Sequence, residues 1–209
     1  DLHSFPTRRS SDLGNYIAKY RDAKAADSPI QKKPGDKFII SVARLSPEKW
    51  QIALIEAMPH IKNPHIKLVL AGGGPYEKEL KDRVQQLGLV DRVIFTGMQS
   101  ADKVAALLKQ ADVFSLASYH FDNQPMTFLE ASAAGLPIVY CDEQMTEGLT
   151  KKNAILTDGI EGEDFAKVFN ELFADPERLA ALSKGALSVA KQFDSVTDRK
   201  STRLNSSHW

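Results

Sequence analysis

The sequence predicts one doubly wound α/β domain, an open parallel sheet of about six strands with helices on both faces. Three observations lead there. Short apolar runs recur between residues 37 and 156, and segments with apolar residues at three- and four-residue spacing lie between them. The strands therefore alternate with helices long enough to act as the crossovers that parallel neighbours need. The 209 residues with 43% hydrophobic side chains suit one large domain or two small ones, and only one apolar core is legible.

Phe38, Ile39, Ile40 and Val42 predict the first strand, covered on both faces. Ser46 as N-cap and Pro47 at the first helical position predict a helix start, carried on by Ile52, Leu54, Ile55, Met58 and Ile61. Ile66, Leu68, Val69 and Leu70 form the second strand, and Tyr76, Leu80, Val84 and Leu87 the helix that Gly88 closes. Val93, Ile94 and Phe95 are the third strand, followed by a helix through Val104, Leu107, Leu108 and Ala111. Val113, Phe114 and Leu116 are the fourth, with a helix from about Met126 to Ala134. Pro137 to Tyr140 and Ala154 to Leu156 complete the sheet. Two helices finish the unit, one through Phe165, Phe169 and Leu172, the other through Leu179, Leu182, Ala186 and Val189.

That places the domain at residues 37–197. Residues 14–36 are polar and alanine-rich and read as a connector. Residues 1–13 and 198–209 are rich in Ser and Arg, lack periodicity and are expected to be disordered. Both ends resemble translated sequencing-adapter DNA, which removes His3, His208, Arg8, Arg9, Arg199 and Arg203 from consideration as catalytic groups. The expectation is that the chain is a piece of a longer protein.

With 27 basic and 27 acidic residues, no net field draws nucleic acid. No apolar run approaches the roughly 18 residues of a membrane span. Composition says nothing about association of a parent protein with a membrane surface. Cys141 is the only cysteine, so an internal disulfide and a cysteine-built zinc site are excluded, and a cytoplasmic location is expected.

In open parallel sheets, ligands bind beyond the carboxyl ends of the strands. After the first strand, Arg44 and Lys49 flank a predicted helix start and suit a diphosphate, Arg as a planar fork and Lys as a point charge. The same residues also make an ordinary solvated helix terminus. After the second, Gly72, Gly73 and Gly74 let backbone pass close to a ligand, although in isolation they read as a tight turn. They match neither the spaced-glycine dinucleotide fingerprint nor a phosphate loop, which counts against an oxidoreductase. After the fourth, Asp122 lies in a loop and Glu130 in the following helix, where a carboxylate can accept from the vicinal hydroxyls of ribose. The amides of Gln124, Met126 and Thr127 could receive phosphate. Asp122 and Glu130 could also serve as metal ligands or as an acid/base pair, but only His120 stands near as a third ligand. His120 itself reads as a surface or packed side chain, and Cys141 as core.

The stretches FIISVARLSPEK, KLVLAGGGPYEKEL, RVIFTG and ADVFSLASYHFDNQPMTFLEASAAGLPIV, in that order over about residues 37–157, resemble the C-terminal domain of retaining GT-B glycosyltransferases of the group 1 family (family 4). The resemblance implies two Rossmann-like domains with the active site between them, the C-terminal one holding a nucleotide-sugar donor and a missing N-terminal one holding the acceptor. Arg44 and Lys49 would bind the donor diphosphate and stabilise the leaving group. Asp122 stands first in the family's Glu–seven residues–Glu motif and would touch the transferred sugar, while Glu130 stands second and would hold the ribose. Gly72, Gly73 and Gly74 would lie against the donor, and Thr96 and Gly97 would border the base. Asn123, Gln124, Met126 and Thr127 replace the motif's glycine-rich interior, keeping the helix-start amides but altering the sugar pocket. Asp122 is one methylene shorter than the usual Glu, and Trp50 replaces the usual glycine after the lysine. No metal or other cofactor is expected, because cations and amides meet the charge of the leaving diphosphate. A fragment without an acceptor domain would be inactive alone. A nucleotide-sugar epimerase-like domain and a non-catalytic binding module are the alternatives.

Overall fold

The computed structural model describes the backbone of residues 10–120 and 125–205, and the side chains of residues 14–120 and 126–193. Its centre is a six-stranded parallel sheet in the order β3-β2-β1-β4-β5-β6. The strands are β1 (Lys37–Val42), β2 (Ile66–Ala71), β3 (Val93–Gly97), β4 (Val113–Leu116), β5 (Ile138–Tyr140) and β6 (Ala154–Leu156). The predicted sheet is therefore present, strand for strand.

Side-chain alternation along each strand sorts the core into two layers. Ile39, Leu68, Leu70, Val113 and Val139 face one layer, covered by α2 (Gln51–Ala57), α3 (Glu77–Gln86) and α6 (Gly162–Phe173). Phe38, Ile40, Val69, Phe114, Leu116 and Ile138 face the other, covered by α4 (Ala101–Gln110) and α5 (Pro125–Ala133). The last helix, α7 (Pro176–Asn205), crosses between the layers, with Leu182 in the first and Ala190 in the second.

Three expectations need correction. The connector over 14–36 carries α1 (Ser10–Asp22), which packs against α4, α5 and α7 and buries Ile17 and Tyr20. Too few apolar residues lie in this segment to show a period by themselves; the neighbouring helices supply the partner face. Residues 10–13 and 198–205, expected to be disordered, lie within α1 and α7, since extending an existing helix is far cheaper than nucleating one. Finally, no continuous helix runs from Pro47. A 3₁₀ turn at Pro47–Lys49 and a left-handed Trp50 precede α2, and Ser46 makes no side-chain cap bond.

At the amino-terminal edge of the sheet, Arg92 gathers loose backbone ends. Its guanidinium donates to the carbonyls of Met58 (3.0 Å), Asn63 (3.1 Å) and Ile66 (3.1 Å). Arg92→Ala should cost about 2–3 kcal/mol, because part-buried carbonyls lose a charged donor. Arg92→Lys should recover little of this, since a point charge cannot span the three acceptors. A lowered urea midpoint at unchanged m-value is the expected measurement.

Candidate functional site

Strand order reverses between β1 and β4, which pair through Ile39 with Val113 and Ile40 with Phe114. The chain leaves β1 for α2 on one layer, whereas beyond β4 it enters α5 on the other. The two loops therefore leave the carboxyl edge toward opposite layers, which is where open parallel sheets form a ligand crevice.

On the β1 side, the backbone of the Arg44 loop is tied down while its side chain is exposed. Leu45 N–H donates to Gly73 O (3.0 Å), Tyr76 N–H to Leu45 O (3.0 Å), and the Gln51 amide to Arg44 O (2.8 Å). A Cβ on Gly72 would lie 2.1 Å from Ala43 O, and one on Gly74 2.2 Å from Leu45 O. The close approach that these glycines allow is thus to the loop bearing Arg44. Gly72 N–H in turn donates to Gly97 O (3.0 Å), and Thr96 Oγ1 donates to the same carbonyl (3.0 Å). Hydrogen bonds thus tie the Arg44 loop to Gly73, and Gly72 to Gly97 beside Thr96, while Gly74 packs against the backbone of Leu45.

Lys49 ends the 3₁₀ turn and is half-buried. A backbone amide and the Ser46 hydroxyl, and more weakly the charges of Arg44 and Lys49, hold the Glu48 carboxyl below its usual range. Trp50 adopts φ 53°, ψ 30°, a left-handed conformation that favours glycine, and its indole N–H donates to Ile160 O (3.2 Å).

On the β4 side, Met126, Thr127 and Glu130 share the less buried face of α5, with Phe128, Leu129 and Ala131 turned inward. Helical side chains lean toward the helix amino terminus, which directs Glu130 toward the crevice edge. The Tyr16 hydroxyl on α1 donates to Glu130 Oε1, and Tyr20, one turn further along α1, lies near the same carboxylate. Burial raises the Glu130 pKa, and the two neighbouring tyrosine hydroxyls oppose that rise. Burial, together with the bond to Glu130, pushes the Tyr16 phenol far up. Sequence reasoning misses these tyrosines because it assigns their segment, too poor in apolar residues to show a helical period by itself, to a connector.

Asp122, Asn123 and Gln124 lie outside the described residues. The loop entering them is pinned by Asp142, which is buried and accepts from the amides of His120 and Gln144, both at 3.0 Å. This residue was also missed, since a lone Asp after a strand has no distinguishing pattern. His120 is exposed with φ 65°, its ring tilted at 50° to that of Tyr119 with centroids 3.7 Å apart. Cys141 is core: burial, with the neighbouring Asp142 charge, pushes its thiol up to about 12. Among the described residues no three His, Cys, Asp or Glu side chains cluster as metal ligands, and no helix is long and apolar enough to cross a membrane.

Gly74→Ala should drive a methyl group into backbone and cost about 3 kcal/mol or more, read as a lowered melting temperature. Glu130→Gln should behave differently. A carboxyl whose pKa rises on folding contributes its full stability below its unfolded value, ordinarily 4.5, and loses it as pH climbs through the raised folded value. The Gln variant should therefore be at least as stable as the parent at pH 7, with the difference shrinking in urea titrations as pH falls through that window.

Residues 22–189 match the family model described as Glycosyl transferases group 1. The chain is 37% identical over 123 residues to alpha-monoglucosyldiacylglycerol synthase of Streptococcus pneumoniae, covering 58% of this chain and 28% of that protein. It is 32% identical over 162 residues to the GDP-mannose-dependent alpha-(1-6)-phosphatidylinositol monomannoside mannosyltransferase of Mycolicibacterium smegmatis, covering 71% of this chain and 42% of the relative. The chain thus spans less than half the length of these curated relatives. Among solved structures, HepE of Anabaena in complex with UDP superposes with a TM-score of 0.72 at 24% identity, over 96% of this chain and 56% of that one. The C-terminal domain of a group 1 glycosyl transferase family protein from Francisella tularensis superposes with a TM-score of 0.69 at 19% identity, over 88% of this chain and 97% of that one.

Proposed function

Because the chain belongs to the group 1 glycosyl transferases, we propose that it is the donor-binding half of a retaining enzyme that moves a sugar from a nucleoside diphosphate to an acceptor held by a second domain. The observation that carries this reading is the pair of cations, Arg44 and Lys49, on a loop fixed at the switch point of the sheet. Glu130 stands across that switch point on α5.

Departure of a nucleoside diphosphate places new negative charge on its oxygens, so groups already aimed there lower the barrier. Arg44 supplies a planar fork and Lys49 a compact charge for the diphosphate. The first amides of α5, at Met126 and Thr127, add donors at a helix start. Glu130 accepts from the ribose hydroxyls, and Asp122 from those of the transferred sugar. Gly72, Gly73 and Gly74 hold the cationic loop in place, and Thr96 and Gly97 border the base. With these donors, binding needs no metal. The similar HepE structure holds UDP, whereas the mycobacterial relative is named for GDP-mannose.

Calorimetric titration with UDP, GDP and ADP tests the proposal. At least one should bind, unchanged by EDTA. Arg44→Ala and Lys49→Ala should each weaken it by about tenfold or more, the worth of a charge-assisted hydrogen bond, while affecting the matching nucleoside far less. Parental affinity in both Lys49→Ala and Glu130→Ala would refute the site. Sugar transfer should be undetectable with this chain alone and appear only when an acceptor domain is joined to it.

A further inference from the structure

We propose that Tyr16 and Tyr20 are positioning residues, whose hydroxyls orient the Glu130 carboxylate to receive the two vicinal hydroxyls of a nucleoside diphosphate's ribose. This rests on the assignment of Glu130 to the ribose made above.

The two tyrosines lie one helical turn apart on α1, their ring centroids 5.3 Å apart, so both hydroxyls leave the helix in one direction. They converge on one acid. Tyr20 and Ile17 are each 3% exposed, which anchors α1 on its neighbours and fixes where the hydroxyls stand. A carboxylate offers about four acceptor directions, so two phenols leave two for a diol. A glutamate otherwise loses rotamer freedom on binding, and fixing it beforehand removes that cost. The phenols also oppose the tendency of burial to protonate Glu130, and the ionised acid is the form that accepts from both hydroxyls. If instead the tyrosines occupied the place of the ribose, they would compete with it, and removing one hydroxyl would tighten binding.

The test compares UDP and GDP, each beside its 2′,3′-dideoxy counterpart, against the parent chain, Tyr16→Phe, Tyr20→Phe and Glu130→Ala. Melting temperatures confirm that the conservative variants fold. The parent should prefer the ribose form, and Tyr16→Phe should erode that preference about fivefold to tenfold with dideoxy affinity unchanged, the worth of one hydrogen bond. Tyr20→Phe should act in the same direction. The acid limb of ribose-form binding should also move to higher pH in Tyr16→Phe, because losing a donor raises the Glu130 pKa. Unchanged or tighter binding in Tyr16→Phe overturns the proposal, as does equal weakening for both ligand forms. If the parent shows no preference for ribose, or Glu130→Ala retains it, the assignment of Glu130 fails first and the positioning role falls with it.

Discussion

The pairing of β1 with β2 on one side and β4 on the other sets every other feature of the functional edge. Consecutive right-handed crossovers on one side of β1 place their helices on one layer, and reversal of strand order sends the next to the other layer. Two loops that would otherwise pack together are forced apart. The crevice is a consequence of connectivity, and no individual side chain creates it.

Within that frame, the two sides of the crevice are built in different ways. The β1 side is rigid through backbone, because Gly72 and Gly74 lie so close to Ala43 and Leu45 that a methyl group has no room. Arg44 thus projects from a fixed point, although its own side chain is exposed. The β4 side is held by side chains, with Asp142 tying the loop at His120 and the α1 tyrosines tying Glu130. On the proposed reading, the backbone-held side suits a phosphate, whose charge is met by donors at several angles, and a carboxylate receiving two hydroxyls would need its orientation set more closely.

Local departures from regular geometry concentrate along this edge. Trp50 and His120 are the non-glycine residues at positive φ among those described, and they stand in the loops after β1 and β4 respectively. Such conformations cost on the order of 1–3 kcal/mol and persist only where surrounding bonds over-determine them. The indole bond to Ile160 and the Asp142 bond to the His120 amide are those restraints.

The sequence alone determined the sheet, because strands buried on both faces must be apolar along their length and their helices apolar on one stripe. It also offers Arg44, Lys49, the glycine run and Glu130 as candidates, because residue type and place after a strand are local features. Tertiary structure alone decided that α1 exists, that its tyrosines meet Glu130 more than a hundred residues away, and that Gly72 and Gly74 serve the cationic loop. Those contacts join segments distant in the chain, and a tyrosine in a polar segment is unremarkable until folding brings an acid beside it. Local pattern records which face each residue must bury, while the identity of its neighbour there is set by how the layers pack.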